Sequence, residues 1–187
     1  MTAHALVTGP ARSGKSEWAE RLAAASGRRV IYVATAREDP LDADWTARIA
    51  AHRRRRPADW ETRCAPTDLT DTLAEADDAD RCLLVDSLGT WVANCLEIDA
   101  PRWQARVDDL IGRLDAMSAD CILVAEETGW GVIPSYPIGR QFRDRLGGLI
   151  RRLGPCCEAV YLVTGGHALD LRRLGRPLPP PAADGVA

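Results

Sequence analysis

The chain has 187 residues, 46% of them hydrophobic, and a formal net charge of −3. That length fits one domain with a sizeable core, and the mild acidity argues against a general nucleic-acid binder, which carries a basic excess. No run of about 18 apolar residues occurs, and the opening MTAHALVTG lacks the charged and apolar regions of a signal peptide, so the expectation is a cytoplasmic protein without a membrane span.

In chain order, HALVT (4–8) predicts a short buried strand, followed by a Gly-rich turn and a helix over 15–25. RVIYVAT (29–35) predicts a second strand. A helix over 42–55 must stop near Pro57, because the residue before a proline is pushed out of the helical region. ADWET (58–62) is a candidate short strand, and LTDTLAEA (69–76) makes a helical turn or two. RCLLVD (81–86) predicts a strong strand, SLGTWVANCLE (87–97) a helix, and residues 102–117 another. CILVAEE (121–127) and AVYLVTGG (159–166) predict two more strands, on either side of a helix over 139–153. Strands apolar on both faces that alternate with helices predict an α/β fold, with a mainly parallel sheet covered on both sides. The domain is expected over 1–174, with a proline-rich, disordered tail over 175–187.

Two compositional features stand out. Six cysteines (Cys64, Cys82, Cys95, Cys121, Cys156, Cys157) form no C-x-x-C pattern and read as small buried apolar residues. Among 24 lysines and arginines there is a single lysine, Lys15. Lysine offers a compact point charge on a flexible stem where arginine offers a broad fork.

Lys15 lies in Gly9, Pro10, Ala11, Arg12, Ser13, Gly14, Lys15 and Ser16, which fit G-x-x-x-x-G-K-S between a predicted strand and a predicted helix. Such a loop turns backbone N–H groups onto phosphates at a helix N-terminus. Lys15 is expected to reach the β- and γ-phosphates, and the Ser16 hydroxyl to bind Mg²⁺. Asp86, ending the strand CLLVD, is a second candidate Mg²⁺ ligand at the edge where such sheets present ligands; its other reading is a helix N-cap. Glu126 and Glu127 end the next strand. Adjacent residues face opposite ways, so at most one points into a site.

In the helix over 42–55, Trp45, Ile49 and His52 share a face. His52 is either a partly buried histidine on that face or a reactive group beside Arg53, Arg54, Arg55 and Arg56. Arginines bind phosphate oxygens through paired N–H groups, and they disfavour a charged imidazolium. A neutral imidazole beside a bound phosphate is a nucleophile.

LVTGPARSGKS, YVATA, RIAAHRRRRPADWET, LLVDSLGTWVANCL, ETGWGVIP and RQFRD together resemble the bifunctional adenosylcobinamide kinase/adenosylcobinamide-phosphate guanylyltransferase family, over about residues 5–170. The resemblance implies a P-loop NTPase fold related to RecA, and a homotrimer. It implies phosphorylation of adenosylcobinamide by ATP or GTP. Transfer of GMP from GTP to adenosylcobinamide phosphate then follows, through a guanylylated His52. Its nucleotide contacts fall on Gly9 to Ser16, on Ala34, Thr35 and Ala36, on Arg53 to Arg56, and on Asp86. Three positions depart from its pattern: Cys64 stands where a nucleotide-contacting glutamate is usual, and Glu126 and Ile150 where asparagine is common. Trp91 and Trp130 are read either as packing residues or as contacts for a flat macrocycle. Two rival readings are a P-loop small-molecule kinase with a structural His52, and an ATP-binding module acting on nucleic acid through the arginines.

Overall fold

The computed structural model describes residues 3–37 and 41–179, without the side chains of Trp45 and Arg48. The last eight residues of the expected tail, and the Trp45 side chain, lie outside the described residues. The elements run β1 (His4–Gly9), α1 (Lys15–Ala25), β2 (Arg29–Ala34), α2 (Ala43–Arg55), β3 (Glu61–Cys64), α3 (Leu69–Ala76) and β4 (Arg81–Asp86). They continue with α4 (Leu88–Asn94), α5 (Ala100–Ala116), β5 (Asp120–Glu126), α6 (Pro137–Leu153), β6 (Ala159–Thr164), β7 (His167–Asp170) and α7 (Leu171–Leu174). One seven-stranded sheet has the order β3-β2-β4-β5-β1-β6-β7. Every pairing is parallel except β6 with β7.

The central strands are apolar on both faces because both are covered. On one face Ala19 and Ala23 of α1 pack with Val7, Tyr32, Leu84 and Val124. On the other, α3 to α6 supply Leu69, Leu73, Trp91, Leu110, Leu146 and Leu149 against Leu6, Leu83 and Leu123. Burying such a leucine outweighs replacing it by alanine by about 2–5 kcal/mol. α5 begins on Asp99, whose carboxylate accepts from the Arg102 amide at 2.9 Å, a charge-compatible N-cap.

Three expectations change. The short strand lies at 61–64, later than ADWET, because Trp60 is still in the turn that bonds back to Pro57. β7 was not expected: Gly165 and Gly166 both have positive φ, 57° and 76°, and close a two-residue hairpin. Cys64 is exposed, whereas Cys82, Cys95, Cys121 and Cys157 are buried as free thiols.

Burial, ahead of every other cause, raises the Cys82 thiol to about 11 and the Cys157 thiol to about 12 from an ordinary value of 9.0. It also lifts Cys121 well above that value. Above pH 9 the unfolded chain therefore sheds protons that the folded chain keeps, so the contribution of these thiols to stability is fully present below pH 9 and is lost as pH rises toward 11–12. Urea unfolding measured across this window is expected to show that decline, with a shallower slope in Cys82→Ala and Cys157→Ala.

Candidate active site

Parallel pairing brings the carboxyl ends of β1 to β5 to one edge. Cys64 is level with Ala34, and Ala34 with Asp86; further along, Gly9 is level with Glu126. The loop after β1 curls tightly. Arg12 and Gly14 take left-handed φ values of 59° and 92°, the kind of alternation that makes N–H groups converge into an anion-binding concavity. Ser13 N–H donates to Pro10 O at 3.3 Å, and the first α1 bond runs from Trp18 N–H to Gly14 O at 2.9 Å. Lys15 is 7% exposed. The Ser13 Oγ is buried without a hydrogen-bond partner, a polar atom that an entering phosphate oxygen would satisfy.

At the next strand end four residues close a ring. The Tyr32 hydroxyl donates to Asp86 Oδ2 at 3.0 Å. The guanidinium of Arg56 stacks on the Tyr32 ring, 3.6 Å from its centroid. Arg56 Nε donates to the His52 carbonyl at 3.3 Å, which caps the end of α2. His52 Nδ1 in turn faces Asp86 Oδ2 at 3.9 Å. Burial, and after it the Asp86 charge, push the Tyr32 phenol above its ordinary range, so it stays protonated and donates to the carboxylate.

The arginine run divides by face. Arg53, Arg54 and Arg56, with Ile49, Ala50 and Trp60, line an open groove of about 700 Å³ between α2 and β3. Ile49 thus belongs to the groove wall, while His52 turns toward Asp86. Arg55, expected among the nucleotide contacts, has its guanidinium bound to Glu20 of α1 at 2.7 and 2.8 Å.

Thr35 follows the last residue of β2. It is fully buried; its hydroxyl donates to Ser87 O at 2.7 Å and accepts from Ser87 N–H at 2.9 Å. Its carbonyl takes Asn94 Nδ2 at 2.9 Å. Thr35 is a strut between the ends of β2 and β4, with its side chain spent on that task. Ala34 and Ala36 are half-buried at the same edge. Trp91 is 0% exposed, donates to Thr67 O at 3.0 Å and packs on Trp103, so it is a core residue. Trp130 is 68% exposed, on a loop that also exposes Val132, Ile133 and Tyr136. Glu126 turns toward α4: a Cβ on Gly89 would fall 1.9 Å from its Oε2, which is buried without a hydrogen-bond partner. Ile150 packs against the core from α6.

Tyr32, Glu17 and Glu20 were not singled out in the sequence. Strand alternation puts Tyr32 on the same face as Ala34. Only the register of β2 with β4 brings it to Asp86.

Ser16 and Asp86 together offer a hydroxyl and a carboxylate, hard oxygen donors of the kind Mg²⁺ prefers. Among the described residues no group of three His, Cys, Asp or Glu side chains converges.

A phosphate loop at the head of α1 and a carboxylate two strands away define a P-loop nucleotide-dependent enzyme. Comparison with known proteins narrows the class. The family described as cobinamide kinase / cobinamide phosphate guanyltransferase matches residues 5–171, and the chain belongs to that family. The bifunctional adenosylcobalamin biosynthesis protein CobP of Pseudomonas aeruginosa is 42% identical over 174 residues, covering 92% of this chain and 98% of that protein. The bifunctional adenosylcobalamin biosynthesis protein CobU of Salmonella typhimurium is 37% identical, covering 89% of this chain and 98% of its own length. A solved prototypical ATPase of a type III secretion system shares the fold with a TM-score of 0.55 at 12% identity; the match covers 92% of this chain and 53% of that one.

The two loop glycines differ in what they tolerate. A Cβ on Gly9 would fall 2.4 Å from the Val163 carbonyl oxygen, whereas one on Gly14 meets nothing within 4 Å. Gly14→Ala is expected to cost about 1–2 kcal/mol, from its left-handed φ alone. Gly14→Asn should cost less, because asparagine visits that region. Gly9→Ala should cost about 1–3 kcal/mol by overpacking, with no relief from asparagine. Urea denaturation of the four variants, Gly9→Asn included, checks this pattern.

Proposed function

We propose that the chain phosphorylates adenosylcobinamide with ATP or GTP and then guanylylates the product through His52. The observation that carries this reading is the seat of His52. α2 holds its Nδ1 facing Asp86 at 3.9 Å, on the sheet edge that also bears the phosphate loop. A carboxylate at Nδ1 favours the tautomer protonated there and leaves the lone pair on Nε2. Nε2 attacks the α-phosphorus of GTP. An N–P bond forms, and the P–O bond to pyrophosphate breaks. A phosphate oxygen of adenosylcobinamide phosphate then attacks the same phosphorus. The new O–P bond replaces N–P, giving adenosyl-GDP-cobinamide and free histidine.

Lys15 and the loop amides bind and orient the phosphates. In phosphoryl transfer, positioning and charge neutralisation supply most of the catalysis. Ser16 and Asp86 would hold Mg²⁺, which neutralises phosphate charge when bound. The groove with Arg53, Arg54, Arg56 and Trp60 on its walls supports a reading in which it receives the guanine nucleotide, with Cys64, Ala34 and Ala36 at its margin. The exposed apolar loop around Trp130 supports contact with the corrinoid. The family resemblance supports a cytoplasmic homotrimer.

Incubation with GTP and Mg²⁺ followed by intact mass is expected to give a GMP-sized, acid-labile, alkali-stable adduct that His52→Ala lacks. Folded, GTP-binding protein that forms no adduct would refute the covalent step and leave a P-loop kinase with a structural His52.

A further inference from the structure

The helix that carries His52 has an unusual attachment. Among its described side chains, α2 contributes none to the buried core. Polar contacts tie the end of the helix to the rest of the fold. One of these is made by Arg55, which meets both carboxylate oxygens of Glu20 at 2.7 and 2.8 Å and approaches Glu17 at 3.6 Å. The fork is partly shielded, with the Arg55 and Glu20 side chains 34% and 12% exposed. Paired, bidentate geometry of this kind holds orientation better than an open surface pair. Glu17 and Glu20 belong to the first two turns of α1, directly after Lys15 and Ser16. Arg55 follows His52 by three residues and so lies on the same side of α2.

We infer that Arg55 is a positioning residue: with Glu20 and Glu17 it latches α2 to the phosphate-loop helix, fixing His52 relative to the bound triphosphate, and makes no nucleotide contact itself. The inference rests on the guanylyl-histidine reading for its effect on chemistry, but the latch has a readout of its own. Arg55→Gln is expected to raise amide hydrogen exchange over residues 43–55. It is expected to slow GMP-adduct formation by about 10²-fold, the scale of a misplacement of about 1 Å, with the GTP dissociation constant unchanged. Glu20→Gln, which removes no candidate phosphate ligand, should do the same. The exchanged pair Arg55→Glu with Glu20→Arg should restore protection in α2 and part of the rate.

Two results would overturn the inference. One is a loss of GTP affinity in Arg55→Gln that tracks the loss of adduct, with Glu20→Gln binding GTP more tightly, because Arg55 would then be a phosphate ligand. The other is unchanged exchange in both single variants. Absence of adduct in the native protein would count against the guanylyl-histidine reading alone, since exchange over 43–55 tests the latch without it.

Discussion

Parallel strand pairing is the constraint on which the site depends. A parallel sheet must send every connection back across a face, so all carboxyl ends emerge together and all amino ends lie opposite. Here that rule brings Gly9, Ala34, Cys64, Asp86 and Glu126 to one edge, although they are scattered over more than a hundred positions of sequence. Apart from the exposed edge strand β3, the strands that deliver them are buried on both faces, so most of the edge is held by the core itself. Thr35 adds a local brace by tying the ends of β2 and β4 through Ser87.

The phosphate loop and the helix that carries His52 are secured in different ways. The phosphate loop grows from the central strand β1, and α1 sinks Ala19 and Ala23 into the core. Among its described side chains the histidine helix places none in the core, and guanidinium groups tie its end: Arg56 to Tyr32 and Thr62, and Arg55 to α1. Hydrophobic burial is non-directional, but a close-packed core resists displacement and so holds the loop rigidly. Forked ion pairs specify orientation but can be made and broken at low cost near the surface. A rigid cradle paired with a polar-tethered helix suits a site that must hold one triphosphate while different groups approach it.

The legibility of the sequence followed the physics of each element. α1 runs over 15–25 as its pattern predicts, because the loop spacing fixes its start and Gly27 follows its end. The core strands were readable from apolar runs too long for a surface strand. β7 was not: HALD is short and half-exposed, and only the Gly-Gly pair before it marked the turn. In the candidate site, Lys15 and Asp86 stand out in the sequence by their positions at a helix start and a strand end. The arginine run was seen as one cluster because sequence shows charge without direction. Helical geometry divides it, sending Arg55 to α1 and Arg53 to the groove. The roles of Thr35 and Trp91 in the packing are not legible in the sequence: both lie in segments rich in candidate functional residues, and only the fold reveals that their polar side-chain atoms bond backbone groups.

The scarcity of lysine has a chemical corollary. Lys15 is the sole side-chain primary amine in the sequence, and it is almost wholly enclosed where the phosphates would sit. In most proteins amine-directed reagents scatter over many surface lysines and report only on exposure. In this one, any acyl or aldehyde group that attaches to a side-chain amine has entered the phosphate cradle, so the extent of lysine labelling measures how open that cradle is.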